Sequence, residues 1–246
     1  MKAIDDVEPN LVQLKLYGMR DAWRTRLKSC QDEGLGLGDF LSFLLGDEKL
    51  YRENARVKRL LSRAAFRQSA SLESLDYSSP RGFTKKLISD LASCRFVQEG
   101  YNILIDGPTG VGKSYLASAI GQTACRHGHT VTFLRMNTLI EQTMLARVKG
   151  SYLTLVKRLA SCDLLVLDDF GIKPLAPQQY QDLYDILDER SEGKSTIVTT
   201  QLPPENWAEV IADPITCEAV TDRLVSKATS IHMKGESYRK RLARRP

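Results

Sequence analysis

The chain has 246 residues, 42% of them apolar and 26% charged, with five cysteines and a formal net charge of +5. That balance belongs to globular proteins, at a length suited to one large domain or to one domain with a smaller appendage. No run approaches the ~18 apolar residues of a membrane span, and the widely spaced cysteines, none in a Cys-x-x-Cys pair, fit reduced thiols in a cytoplasmic protein without membrane partners.

Met1 to Glu8 is acidic and lacks the basic-then-apolar order of a signal peptide. Helices are then expected over residues 10–68. Leu11, Leu14, Leu16, Met19 and Trp23 are followed by Phe40, Leu41, Phe43, Leu44 and Leu45, and then by alternating charge from Tyr51 to Leu61. Gly34, Gly36 and Gly38 mark a turn between the first two helices. Short helices bury little surface alone, so a helical domain over 1–68 is expected to pack on the remainder or on another chain. The serine-rich stretch 69–80 reads as a linker.

From Arg81 onward, helix and strand alternate. The pattern predicts strands near 102–106, 130–135, 163–168, 195–200 and 229–233. It predicts helices at 84–93, 113–127, 138–160 (broken at Gly150), 177–191 and 215–228. Five strands with crossover helices give an α/β fold over 81–246, a doubly wound parallel sheet covered on both faces.

The first strand, Ile103-Leu104-Ile105, runs into Gly107-Pro-Thr-Gly-Val-Gly-Lys-Ser114, and a helix follows. Glycine accepts the left-handed angles that curl backbone N–H groups around a phosphate, and the helix N-terminus adds partial positive charge. Lys113 reaches β/γ oxygens and the Ser114 hydroxyl suits Mg²⁺. Gly107, Pro108, Thr109, Gly110, Val111, Gly112, Lys113, Ser114 and Tyr115 are therefore the expected nucleotide contacts. His127 and His129, after that helix, lack a matching ligand set and read as loop residues.

Residues 138–160 carry Arg147, Lys149, Lys157 and Arg158 against Glu141. Such a stretch suits a phosphate backbone, or is a solvated helix face. The third strand, Leu164-Leu-Val-Leu167, ends in Asp168-Asp169. Carboxylates there lie beside the phosphate loop, where open α/β sheets bind ligands. Asp168 is the expected metal carboxylate, and Asp169 the group that polarises the attacking water. The fourth strand ends Thr199-Thr200-Gln201, where a polar group can sit between the carboxylates and the γ-phosphate or simply end a strand. Arg223 is read either as a finger aimed at a neighbour's γ-phosphate or as one half of a surface pair with Asp222. Arg239 is a weaker alternative. Lys234, Arg239, Lys240, Arg241, Arg244 and Arg245 leave the end of the chain basic.

Gly107–Ser114, Leu164–Gly171, Val198-Thr-Thr-Gln-Leu-Pro203 and Asp222-Arg-Leu together resemble the AAA+ ATPases of the DnaC/DnaA clade. Leu14-Lys-Leu-Tyr-Gly-Met-Arg, Arg81-Gly-Phe, Leu91-Ala-Ser-Cys and Lys234-Gly-Glu-Ser-Tyr-Arg-Lys narrow the match. Over nearly its whole length the chain resembles the IstB-like helper ATPases of bacterial insertion-sequence transposition. That resemblance implies an AAA+ P-loop NTPase with a five-stranded parallel sheet, here preceded by the small all-helical N-terminal domain. The residues after the fifth expected strand, about a dozen, are too few for the helical lid of larger AAA+ proteins, so no C-terminal lid domain is expected. It implies ATP and Mg²⁺ as cofactors, and double-stranded DNA, a cognate transposase and further copies of the chain as partners. Carried over, Lys113, Asp169, Thr200, Gln201 and Arg223 become the catalytic set, with Thr200 or Gln201 the sensor and Arg223 the finger in trans. Ser114 and Asp168 become the metal contacts, and 138–160 the element lining a nucleic-acid channel. Asp169 departs from the glutamate that many AAA+ proteins use, and its shorter reach implies slow or partner-completed hydrolysis. A replicative helicase loader shares this core. A P-loop metabolite kinase would need an arginine-rich lid.

Overall fold

The computed structural model describes residues 6–77, 81–190 and 193–238. The chain divides into two compact units, Met1–Arg59 and Leu60–Pro246. Among the described residues no helix is long and apolar enough to cross a membrane.

The first unit holds α1 (Val7–Gln13), α2 (Tyr17–Glu33) and most of α3 (Leu37–Ala64). Met19, Trp23 and Leu44 form its small core. Gly18 makes that core possible, because a Cβ there would lie 2.6 Å from the Asp47 carbonyl oxygen and 2.7 Å from Tyr51 Cβ. The buried Glu48 carboxylate accepts from the Gly18 and Met19 N–H groups at the start of α2, at 2.7 and 3.2 Å, and from Arg52 Nε at 2.7 Å. Burial works against its charge, but these donors prevail and hold its pKa below the usual carboxylate value. The two stretches expected as separate helices, 40–45 and 51–61, are one continuous 28-residue helix, α3. Gly46 lies within it and does not interrupt it.

In the second unit, α4 (Lys85–Ala92) and α5 (Arg95–Glu99) precede β1 (Asn102–Asp106) and α6 (Lys113–Arg126). Next come β2 (Val131–Arg135), α7 (Met136–Val148), α8 (Tyr152–Ser161) and β3 (Leu164–Phe170). The chain continues through α9 (Pro177–Arg190), β4 (Ser195–Thr200), a 3-10 turn (Pro204–Glu209), α10 (Pro214–Val225) and β5 (Ala228–His232). All five expected strands form one parallel sheet, in the order β2-β3-β4-β1-β5. The fold is an α/β P-loop NTPase fold.

The unbroken apolar runs have their reason in this sheet. Along β3, Leu164 and Val166 join the core on one face, with Ile88, Leu116 and Ile120, while Leu165 and Leu167 join the other, with Leu139, Leu183 and Trp207. Residues 69–80, read from their serines as a linker, contribute Ala70 and Leu72 to the first of these cores.

Candidate nucleotide and metal site

The site lies at the C-terminal edge of the sheet, where β1, β3 and β4 end side by side. Gly107, Gly110 and Gly112 turn the chain out of β1 with φ of 142°, 82° and 108°. At Gly107 the demand is double, since a Cβ would also fall 2.2 Å from the Met233 carbonyl oxygen. Gly112, Lys113 and Ser114 open α6, where the first N–H groups have no intrahelical acceptors. A glycine-rich curl leading into a helix N-terminus is a receptor for an anion such as phosphate. Lys113 Nζ donates across the loop to the carbonyls of Gly107 (2.7 Å) and Pro108 (2.9 Å). Burial lowers its pKa, opposed by Asp169, Asp168 and Asp106, so the cation is held within a carboxylate field.

The loop is braced from three sides. Thr109 Oγ1 donates to Gln201 Oε1 at 2.6 Å. The buried Arg81 donates to the Val111 carbonyl at 2.9 Å and lies over the Tyr238 ring. The Tyr238 N–H donates to the Gly110 carbonyl at 2.8 Å. Ser114 sits in the first turn of α6. Tyr115, expected among the nucleotide contacts, turns its hydroxyl 2.8 Å from Ser74 Oγ and within 3.3 Å of the Ser71 N–H, so its side chain braces 71–74 instead.

The two aspartates stand at a β-bulge. Leu167 pairs with Val198 and Phe170 with Thr200, so Asp168 and Asp169 together oppose Thr199. Asp168 is buried, and its Oδ1 accepts from Thr199 Oγ1 at 2.6 Å. Asp169 adopts φ +62°, and its N–H donates to the same hydroxyl at 3.0 Å. Arg135, the register partner of Asp168 on β2, brings Nε to 3.5 Å from Asp169 Oδ2 and 4.0 Å from Asp168 Oδ2. Asp169 also borders an open cleft lined by Met136, Asn137, Gly171, Lys173 and Gln179. Carboxylate and hydroxyl oxygens suit Mg²⁺, so Asp168 and Ser114 fit that ion.

Of the two residues carried over as sensor, Gln201 reaches the loop. Thr200 does not, because its hydroxyl closes a turn with the N–H and carbonyl of Leu202, both at 3.0 Å. Thr199 is the threonine facing the carboxylates. Arg223 is held within its own chain, but not by Asp222. Its Nε donates to Asp188 Oδ1 at 3.2 Å, its Nη2 to Tyr184 Oη at 3.2 Å, and it stacks on the Tyr184 ring. Arg239 and the basic residues beyond it lie outside the described residues.

The basic stretch folds as α7 and α8, with the break at Gly150. Its four cations separate into two groups. Arg147 donates through Nε to Asp182 Oδ1 at 3.0 Å and packs 3.8 Å from the centre of the Tyr152 ring. Since the Asp182 side chain is only 3% exposed, Arg147 neutralises a buried carboxylate and is a packing element. Lys149 and Arg158 line an open groove between the two helices with Gln142, Leu145 and Thr154, and Lys157 is exposed beside them.

The sequence profile of the IstB-like ATP binding protein family matches residues 9–245. An insertion sequence ATP-binding protein of Sinorhizobium fredii is 37% identical over 230 residues, covering 94% of this chain and 93% of the relative. An ATP-binding protein in an insertion sequence of Mycobacterium tuberculosis is 32% identical, covering 93% of this chain and 91% of its own length. Among solved structures, the DnaC helicase loader superposes with a TM-score of 0.57 at 22% identity, over 67% of this chain and 97% of the loader. The replication initiator DnaA, bound to AMPPCP and single-stranded DNA, gives 0.58 at 17% identity, over 70% of this chain and 52% of DnaA. These two likenesses concern the fold.

Proposed function

The chain belongs to the IstB-like ATP-binding protein family, and from that premise we propose that it is a Mg²⁺-dependent ATPase acting on DNA in insertion-sequence transposition. It binds ATP, assembles with further copies on double-stranded target DNA, deforms that DNA, and recruits and stimulates a transposase. The observation that carries the ATPase reading is the convergence of Lys113, Asp168, Asp169 and Gln201 on one glycine loop at one edge of the sheet.

In this reading the loop N–H groups and Lys113 bind the phosphates, exchanging the lysine's bonds to Gly107 and Pro108 for phosphate oxygens. Ser114 and Asp168 hold Mg²⁺, which when bound neutralises charge on the phosphates. Asp169 orients and polarises the attacking water from the open cleft beside it. Gln201, tied to Thr109, links β4 to the occupied loop. Arg223 serves as the finger in trans by exchanging Asp188 for a neighbour's phosphate. Lys149, Lys157 and Arg158 track the DNA backbone, without Arg147.

Steady-state ATP hydrolysis, with and without duplex DNA, tests the chemistry. Turnover that requires Mg²⁺ and is lost in Asp169→Asn supports it, and turnover unchanged in that variant refutes the role of Asp169.

A further inference from the structure

We propose that Thr199 is the positioning residue for both aspartates, an inference that rests on the ATPase reading above. The bulge at Asp168–Asp169 removes one rung of the β3–β4 ladder, and the Thr199 side chain stands in its place. An ionised Asp168 can only accept and the Asp169 N–H can only donate, so the hydroxyl has one arrangement that satisfies both. It donates to Asp168 Oδ1 at 2.6 Å and accepts from the Asp169 N–H at 3.0 Å, and Thr199 itself is fully buried.

Two consequences follow for the carboxylates. The first bond fixes the rotamer of Asp168, leaving its Oδ2 on the side of Arg135. The second holds Asp169 at φ +62°, a region that side-chain-bearing residues rarely occupy, and this turn sets where its carboxylate points. No neighbour on β4 can substitute. The Thr200 hydroxyl is engaged with Leu202, and Gln201 accepts from Thr109. Thr199 thus acts through the aspartates, as outer-shell partners of metal ligands do, and removing such a partner typically costs about 10–100-fold in metal affinity or activity.

The test compares Thr199→Val, which keeps the shape and loses the hydroxyl, with Thr199→Ser, which keeps it, in the full chain. Binding of a fluorescent ATP analogue is titrated across Mg²⁺ concentrations, and hydrolysis is measured separately. Thr199→Val is expected to bind the analogue in EDTA within about two-fold of wild type. It should need about ten-fold more Mg²⁺ to reach half of its metal-dependent change, and its kcat should fall at least about ten-fold with KM little altered. Thr199→Ser should recover both properties to within about two-fold. If Thr199→Val lacks the native circular dichroism spectrum, Thr199→Cys, a weak donor, is measured in its place with the same expected loss. Wild-type metal response and kcat in the valine variant would overturn the inference, as would equal impairment of the valine and serine variants. A wild-type chain with neither Mg²⁺-dependent analogue binding nor hydrolysis would remove the ATPase reading itself. Wild-type turnover with an unimpaired valine variant removes only the role of Thr199.

Discussion

Replacing Arg147 by alanine should weaken the fold while leaving the number of DNA phosphate contacts unchanged. Asp182 is almost completely buried, and Arg147 is its charge partner. Stranding one member of a buried ion pair costs about 3–5 kcal/mol. Here the Arg147 side chain is 37% exposed, and Asp182 keeps a 3.0 Å bond from Gln178 Nε2, so solvent screening and that donor reduce the loss to about 2 kcal/mol. The guanidinium packed on Tyr152 adds about 0.5–1 kcal/mol. At about 2–4 °C per kcal/mol for a chain of this size, the thermal midpoint should drop by about 5–12 °C. The assay pairs circular dichroism melting with duplex affinity measured across salt concentrations. Arg147→Ala should melt early with an unchanged slope of log K against log salt, whereas Lys149→Ala and Arg158→Ala should melt normally and each reduce the slope by about 0.9. An Arg147→Ala protein with wild-type melting and a reduced slope would refute this account.

Lys113→Ala should abolish ATP binding in an equilibrium titration with a fluorescent analogue, and retained affinity would refute the phosphate assignment. Asp169→Asn should bind ATP normally and stay assembled on DNA without turnover, read by phosphate release and native electrophoresis. Arg223→Ala should bind ATP and hydrolyse poorly, and mixing it with Asp169→Asn should restore some hydrolysis, since each supplies what the other lacks; no recovery would remove the role in trans. Gly18→Ala forces a methyl against the Asp47 carbonyl. It should destabilise the first unit by about 1–3 kcal/mol in urea unfolding, with ATP binding by the second unit unaffected.

The parts of this molecule that follow local rules were legible in the sequence. Leu164–Leu167 is apolar without alternation because both faces of β3 are covered, and Gly107–Ser114 declares its turn through glycines that the loop conformation requires. What escaped depends on register and on distant partners. Composition does not reveal that a bulge at Asp168–Asp169 brings Thr199, and not Thr200, to face the carboxylates. Arg135 reaches the same aspartates only because β2 pairs with β3 in the register Arg135 to Asp168. The charge of Arg147 resembled that of Lys149 and Arg158 until Asp182, 35 residues away, was seen to claim it. Arg223 likewise looked like a partner for Asp222, while the carboxylate that holds it belongs to α9.

The most direct test of the proposed function is fluorescence anisotropy of labelled duplex and single-stranded DNA against protein concentration, in Mg²⁺ with ATP or ADP, at fixed salt. Steep, cooperative binding of the duplex with ATP and its loss with ADP is the predicted result. Equal binding in both nucleotides, or a preference for the single strand, would contradict ATP-driven assembly on double-stranded DNA.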